Sequence, residues 1–98
     1  MSKSIDIAGN SIEFKFTKSA FKHGITKNGI LKALDNHIYD ETLVEIPNKT
    51  LYVGYDDKAR LIEVICDVIS EDFVVIYHAM PCRTQYKERI LRKWKMIF

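Results

Sequence analysis

Cysteine is scarce in this chain, and its scarcity excludes two common kinds of small protein. Only two cysteines occur in 98 residues, whereas a disulfide-stapled scaffold needs a denser set. Cys66 alternates with apolar residues and is predicted to be a small core side chain. The cysteines lack the spacing of a zinc site, and His23, His37 and His78 lack chelating spacing. We therefore expect neither a metal ion nor another cofactor.

Long apolar segments are missing as well. No run of residues approaches the length of about 20 that a membrane-spanning helix needs. Residues 1–10 contain no apolar core of about seven residues and no small-residue cleavage site, so a secretory signal is not expected. The chain also has no internal repeat, low-complexity segment or linker. These absences predict one domain over residues 1–98, in the cytoplasm and without membrane association.

The net charge of +2 conceals a segregation of charge along the chain. Residues 1–34 hold six lysines and two acids, residues 35–72 hold three basic residues and ten acids, and residues 73–98 hold six basic residues and one acid. Basic ends therefore flank an acidic middle. This distribution fits a folded surface with a basic face for a polyanion, and it equally fits a domain that pairs with an oppositely charged partner.

The N-terminal residues predict a β-hairpin. Strands over Ser4–Ile7 and Ser11–Phe16 flank Gly9-Asn10, a pair suited to a tight turn. In the second strand the apolar residues alternate with Glu13 and Lys15, as in a strand with one solvated side.

Two short helices are predicted after this hairpin. The first follows Thr17, a good N-cap residue, and ends at Gly24. The second follows Thr26 and ends near Asn36. In each case apolar residues stand at the two positions of a hydrophobic staple: Phe16 with Phe21, and Ile25 with Ile30.

The rest of the chain predicts four strands and one longer helix. Thr42–Ile46 and Thr50–Tyr55 form a hairpin, and Leu61–Ile69 pairs antiparallel with Phe73–Met80 through a short polar turn. After Arg83 the apolar period becomes helical, so a basic amphipathic helix is predicted with Tyr86, Ile90, Leu91 and Trp94 on one side. The fold class is therefore α+β, an antiparallel β-sheet with two short N-terminal helices and a C-terminal helix.

The strand from Phe73 is predicted to organise the candidate site. Apolar residues occupy both of its faces up to Tyr77, which indicates a central position in the sheet. Pro81 cannot donate to a ladder, so the strand must end near Met80 and the chain must turn before Arg83. His78 and Arg83 are thus expected at the rim of the core.

Several short motifs, taken in order, resemble one family of bacterial proteins. They are Phe14-Lys15-Phe16, Lys22-His23-Gly24-Ile25, Leu51-Tyr52-Val53-Gly54, Ala59-Arg60-Leu61-Ile62-Glu63-Val64 and Ile76-Tyr77-His78-Ala79-Met80-Pro81-Cys82-Arg83. This ordered set resembles the BrnT-type toxins and their HAMP-x-R relatives, in the RelE-like superfamily of toxin–antitoxin ribonucleases. The resemblance covers about Phe14 to Tyr86 and implies a RelE-like fold and ribonuclease activity.

RNA cleavage without a metal needs three chemical roles, and the chain has residue types for each. A base removes the 2′-hydroxyl proton, cations hold the phosphate, and an acid protonates the leaving oxygen. Arg83 and Arg60 can bind phosphate oxygens bidentately, and His78 can exchange a proton near neutral pH. Glu63 is a candidate base or a residue that orients a cation. The candidate catalytic residues are Arg83, His78, Glu63 and Arg60.

Each candidate also has a structural interpretation. His78 can be a strand-end residue bonded to backbone, and Arg60 with Glu63 can be a surface ion pair. His23, next to Gly24, can stabilise a helix end, and this interpretation is favoured for it. The candidate RNA-binding residues are Lys22, His23, Tyr86, Arg92, Lys93 and Lys95, of which Tyr86 also fits the core.

The sequence thus predicts the ribonuclease toxin of a bacterial toxin–antitoxin pair, acting on messenger RNA and bound by a cognate antitoxin. A homodimer is left open. The alternative is a non-catalytic module that binds protein or nucleic acid through its basic C-terminal helix. Convergence of the four candidate catalytic residues favours the enzyme, and dispersal favours the module. Arg83, taken as an exposed residue, is expected to serve catalysis and to contribute little to stability.

Overall fold

The computed structural model describes residues 2–7 and 10–97. Its strands are β1 (Ser2–Ile7), β2 (Asn10–Phe16), β3 (His37–Val44), β4 (Lys49–Tyr55), β5 (Leu61–Ser70) and β6 (Phe73–Pro81). Its helical elements are a 3-10 helix (Lys18–Phe21), α1 (Lys27–Asp35) and α2 (Thr84–Ile97). Within the described ranges, neither α-helix is long and apolar enough to cross a membrane.

The six strands form one mixed sheet in the order β1-β2-β6-β5-β4-β3. The neighbours β1 and β2 are antiparallel, and so are the successive strands from β3 to β6. The predicted pairing of β5 with β6 and the internal position of β6 are confirmed. The predicted N-terminal hairpin is also present, although Gly9 of its predicted turn lies outside the described residues.

The prediction of an antiparallel sheet is wrong at one junction. Strands β2 and β6 pair in parallel, from Glu13 opposite Phe73 to Phe16 opposite Ile76. After β2 the chain crosses one face of the sheet to the far edge, and the four strands from β3 to β6 return it to β2. This pairing joins distant parts of the chain, and the period-2 pattern of a strand says nothing about the direction of its neighbour.

The prediction of two short N-terminal helices is wrong for the first of them. The first is only a 3-10 helix of four residues, and its Thr17 side chain makes no capping hydrogen bond. Instead, the Thr17 N–H donates to Ile76 O at 3.0 Å, and the Ser19 hydroxyl donates to Tyr77 O at 2.6 Å. This segment is therefore held laterally against β6, which competes with continuation into an α-helix. The fold is α+β overall, but the predicted antiparallel, RelE-like arrangement is wrong.

The second predicted helix is confirmed as α1. Thr26 is its N-cap and accepts a hydrogen bond from Gly29 N at 3.0 Å, and Asn36 is its C-cap. The chain then enters β3 at His37, five residues before the predicted start at Thr42. The helix passes so close to β4 that a Cβ atom on Gly54 would lie 2.3 Å from Ala33 O, which explains glycine at that position.

Each face of the sheet has its own apolar core. On one face, Ile30 and Ala33 of α1 pack with Ile62, Val64 and other buried residues of the sheet. On the other face, Tyr86 and Ile90 of α2 pack with buried residues of β4 and β5, including Leu51, Val53 and Ile65. The second face is the one from which the candidate site is built.

Candidate active site

The candidate site is organised around the carboxylate of Glu63, in β5. Its side chain is 0% exposed, although it is charged and lies in an apolar strand. Its Oε1 accepts hydrogen bonds from Arg83 N at 2.9 Å and from Arg83 Nε at 3.1 Å. Its Oε2 accepts from Arg83 Nη2 at 2.7 Å, from Arg83 Nε at 3.1 Å and from His78 Nε2 at 2.9 Å. A buried charge is stable only when it is paired in this way.

A β-bulge in β6 brings His78 to Glu63. Cys66 pairs with Ile76 and Ile65 pairs with His78, so Tyr77 is an extra residue without a partner on β5. In a regular ladder, His78 would lie opposite Val64 and face the core under α1. The bulge shifts it by one residue, so it shares the face of Glu63 as a diagonal neighbour. The bulge therefore creates the His78–Glu63 contact.

Arg83 reaches the same carboxylate from the start of α2. Its carbonyl accepts the first hydrogen bonds of that helix, from Tyr86 N and Lys87 N. Its guanidinium also lies over the Tyr86 ring, 5.3 Å from the centroid. The side chain is 43% exposed, and in the part of the chain that is described its Nη1 has no hydrogen-bond partner. One edge of the guanidinium is thus held by Glu63, and the other can bind a ligand.

A second imidazole stands beside the first. The rings of His23 and His78 are edge to face, with centroids 6.0 Å apart. His23 follows the 3-10 helix, which β6 holds through hydrogen bonds from the Thr17 N–H and the Ser19 hydroxyl. It precedes Gly24, whose positive φ of 79° turns the chain toward α1. Strand β6 therefore positions both histidines, one directly and one through the segment bonded to its edge.

The charge state of Glu63 follows from its surroundings. Burial opposes ionisation, but the hydrogen bonds from Arg83 and His78 outweigh it and hold the pKa of Glu63 below its ordinary value. Glu63 is thus a carboxylate at neutral pH. Because a carboxylate can only accept hydrogen bonds, His78 Nε2 must carry the hydrogen, and in neutral His78 the lone pair is on Nδ1.

These buried carboxylates make the fold sensitive to acid, which is our first prediction. Burial opposes ionisation of Asp56 too, but hydrogen bonds from Arg60 and Lys58 lower its pKa in the folded chain. Glu63 and Asp56 therefore stabilise the fold above the pKa of about 4 that carboxyls have when unfolded. This stabilisation is lost as the pH falls through the lower folded values. Denaturant unfolding between about pH 7 and about pH 3 should show a steep loss.

A matched pair of variants tests the origin of that loss. Glu63→Gln should be less stable than the parent at neutral pH and should lose part of the acid dependence, because its side chain cannot ionise. Glu71→Gln, which changes an exposed carboxylate in the turn between β5 and β6, should follow the parent. A Glu63→Gln variant with the acid dependence of the parent would contradict the assignment.

Arg60 does not join the candidate site. It pairs with Asp56, through Nε at 2.9 Å and Nη2 at 2.8 Å from Oδ2. The other carboxylate oxygen of Asp56 accepts from the backbone N–H groups of Lys58 and Arg60. These bonds stabilise the turn that connects β4 to β5. Of the four candidate catalytic residues, the structure therefore brings together Glu63, His78 and Arg83 and leaves Arg60 elsewhere.

The candidate RNA-binding residues fall into two groups. Lys22 and His23 are exposed, next to each other, at the edge of the His78 cluster. Tyr86 is buried, 7% exposed, beneath Arg83. The others lie further along α2: Arg92, Lys93 and Lys95 are exposed, and Lys93 Nζ lies 5.2 Å from the ring centroid of Tyr39.

Sequence reasoning missed two features of this site. It placed His23 among RNA contacts and favoured a role at a helix end, whereas the ring lies beside His78. It also left the role of Glu63 open, between a base and an orienting group. A carboxylate in an otherwise apolar strand was the available signal, because such a residue needs cationic partners. The position of His23 had no comparable signal in the sequence.

The residues described here contain no group of three or more histidine, cysteine, aspartate and glutamate side chains arranged to hold a metal ion. The sequence matches no protein-family model and no curated protein. The function must therefore be argued from the cluster itself.

Proposed function

We propose that this protein is a ribonuclease that cleaves RNA by acid–base chemistry without a metal, as the toxin of a bacterial toxin–antitoxin pair. The observation that carries the proposal is the convergence of two histidines and one arginine beside a fully buried glutamate. These are residue types for proton transfer and for phosphate binding.

His78 is the general base in this proposal. Its Nδ1 takes the proton from the 2′-hydroxyl, and the freed oxygen attacks phosphorus. Glu63 accepts the hydrogen of Nε2, so it holds the ring in the required tautomer and stabilises the imidazolium that forms. Because Glu63 is buried and paired, its role is to position and to stabilise.

Arg83 binds the phosphate. Negative charge builds on the non-bridging oxygens as the new bond forms, and a preorganised guanidinium stabilises that charge. The three hydrogen bonds from its side chain to Glu63 fix the guanidinium before RNA binds. This arrangement leaves Nη1 for the phosphate.

His23 is the general acid. In its protonated form it donates a proton to the departing 5′-oxygen, so the products are a 2′,3′-cyclic phosphate and a 5′-hydroxyl. The separation of 6.0 Å between the ring centroids of His23 and His78 allows one phosphodiester to contact both rings. The net proton transfer is from the 2′-hydroxyl to the 5′-oxygen, with one histidine accepting and the other donating.

The biological context rests on the resemblance of the ordered motifs to BrnT-type and HAMP-x-R toxins. In that context the protein acts in the cytoplasm on messenger RNA, inhibits translation and is neutralised by an antitoxin. Inducible expression in bacteria tests this context. Growth should stop and messenger RNA should be lost, and co-expression of the protein encoded by the adjacent gene should restore growth. Continued growth at high expression of the folded protein would reject the toxin assignment.

The alternative function is a non-catalytic binding module. One observation favours it: α2 presents exposed Leu91 and Trp94 together with several cations. A module would bind its partner through α2 and would be indifferent to His78. Substitution of His78 therefore separates the two functions.

RNA binding should depend strongly on salt, which is our second prediction. For a single-stranded nucleic acid, the logarithm of the affinity falls linearly with the logarithm of the salt concentration. Each phosphate that a cation neutralises makes this slope steeper by about 0.7. Lys22→Ala, at the edge of the cluster, should weaken binding and reduce this slope. The triple neutralisation of Arg92, Lys93 and Lys95 tests whether RNA also follows α2. Filter binding at several salt concentrations measures both, and an affinity that ignores salt would contradict the proposal.

A further inference from the structure

An apolar groove lies beside α2, and its lining residues differ from those of the candidate active site. Its walls come from the start of β3, the end of β4, the start of β5 and the outer side of α2, and it encloses about 220 Å³. The lining residues are Ile38, Tyr55, Leu61, Lys87, Ile90, Leu91 and Trp94. None of them belongs to the His23–His78–Glu63–Arg83 cluster.

Several large apolar side chains that remain exposed in the folded chain lie together in this groove. Ile38 is 38% exposed, Tyr55 49%, Leu91 53% and Trp94 42%. Apolar surface gathered in one place, unlike scattered exposed residues, marks a binding surface. An aromatic anchor next to aliphatic side chains is also the composition that dominates binding energy at protein interfaces.

The charges around the groove indicate the chemistry of its ligand. Two cations of α2 have partners, since Arg89 pairs with Glu41 at 2.9 Å and Lys93 lies over Tyr39. In the described part of the chain, Lys87, Arg92 and Lys95 form no ion pair. Lys87 lines the groove, while Arg92 and Lys95 lie with Glu88 around a shallow depression that shares Leu91 with it.

We propose that this groove binds an acidic, amphipathic segment of a partner protein. Apolar side chains of the segment fill the space between Trp94 and Leu61, and its carboxylates lie against the unpaired cations of α2. RNA fits less well, because the walls are mainly aliphatic and Lys87 is the only cation among the described residues that line them. This binding goes beyond the proposed RNA cleavage, and it can be measured without RNA.

Peptide display supplies the test, with the full-length protein as bait. Peptides are selected on the parent, and the affinities of the enriched peptides are then measured on two variants. Leu91→Glu places a negative charge in the groove. Ile69→Glu is the matched control, because Ile69 is an equally aliphatic residue, 58% exposed, and does not line the groove. Trp94 is the only tryptophan in the chain, so its fluorescence reports occupation of the groove directly.

The proposal expects enriched peptides with net negative charge and with apolar residues at helical spacing. They should shift the emission of Trp94 to shorter wavelength and bind more weakly at high salt. They should lose affinity by at least about tenfold on Leu91→Glu, and retain it on Ile69→Glu. Thermal unfolding checks that both variants fold, and Ile38→Glu replaces Leu91→Glu if the latter does not.

Several results would overturn the proposal. Enriched peptides that are neutral or basic, equal affinity for parent and Leu91→Glu, or no enrichment would each do so. An RNA oligonucleotide that shifts the emission of Trp94, with the shift lost in Leu91→Glu, would assign the groove to nucleic acid. A dimer seen by ultracentrifugation in the parent and lost in Leu91→Glu would assign it to a second copy of the chain.

Discussion

Arg83→Ala is expected to reduce RNA cleavage by about 100- to 1000-fold, because loss of one preorganised donor to the developing charge costs about 2.7–4 kcal/mol. The same variant should also be less stable than the parent, by about 2–3 kcal/mol. Removing one partner of a buried ion pair leaves the other charge uncompensated. We expect a loss of stability below the usual range for buried pairs because the Arg83 side chain is 43% exposed. Water can therefore replace part of the interaction that Glu63 loses.

This expectation corrects the prediction that Arg83 contributes little to stability. That prediction treated Arg83 as an exposed side chain after a turn, and it is indeed exposed over part of its surface. Its inner edge, however, makes the main hydrogen bonds to a carboxylate that has no access to water. The two predicted effects, on cleavage and on stability, therefore concern the same residue and must be separated by a second substitution.

The double variant Arg83→Ala, Glu63→Gln separates them. A neutral side chain at position 63 no longer needs a cation, so the double variant should regain much of the stability that Arg83→Ala loses. Because Glu63 also positions His78, the reference for the cleavage rate of the double variant is Glu63→Gln alone. The double variant should cleave RNA far more slowly than that reference. Equal stability of Arg83→Ala and the parent would show that the pair contributes no stability. Equal cleavage by the double variant and Glu63→Gln would remove Arg83 from the chemistry.

His78→Ala is expected to reduce RNA cleavage by about 100- to 10,000-fold, the usual contribution of a positioned acid or base. The effect should appear in the turnover rate, because in the proposed mechanism His78 transfers a proton and does not bind the RNA backbone. Expression of the variant should no longer arrest growth. Single-turnover cleavage of a defined RNA, corrected for the folded fraction of each variant, measures the change.

His37→Ala is the matched control for this substitution. His37 is also a partly exposed histidine, but it stands at the start of β3. Its Nδ1 donates to Leu34 O at 2.8 Å, and its Nε2 lies 3.1 Å from Asp40 Oδ2. Its removal should leave cleavage within a few-fold of the parent. If His78→Ala cleaves RNA and arrests growth like the parent, the proposed chemistry is wrong and the binding module becomes the better explanation.

The limits of the sequence predictions have physical causes. Local features were predictable, such as the capping of α1 by Thr26 and the pairing of β5 with β6, because adjacent residues determine them. The parallel pairing of β2 with β6 was not, since it depends on where a distant strand returns. The sequence predicted a longer helix after Thr17 than the 3-10 helix that forms. The bonds from Thr17 and Ser19 to β6 that hold this segment are tertiary interactions, which adjacent residues do not reveal.

The candidate site shows the same division. Glu63, His78 and Arg83 were identifiable as polar groups at the edge of apolar strands, and they do converge. Their geometry was not predictable, because a bulge at Tyr77 moves His78 to the other face of the sheet and no residue of that segment specifies it. Arg60 was a candidate because an arginine can bind phosphate bidentately, but in the structure it pairs with Asp56 in the turn between β4 and β5.

The central claim is that His78, His23 and Arg83 catalyse attack of a ribose 2′-oxygen on the adjacent phosphate. The most direct measurement uses two versions of one RNA, all-ribose and with a single 2′-deoxy nucleotide at the mapped cleavage site, incubated with the purified protein in excess EDTA. The account predicts that the all-ribose RNA is cut to a 2′,3′-cyclic phosphate and a 5′-hydroxyl, identified by mass spectrometry, and that the 2′-deoxy site is not cut. Cleavage at the 2′-deoxy site, 5′-phosphate products, or a requirement for a divalent cation would contradict it.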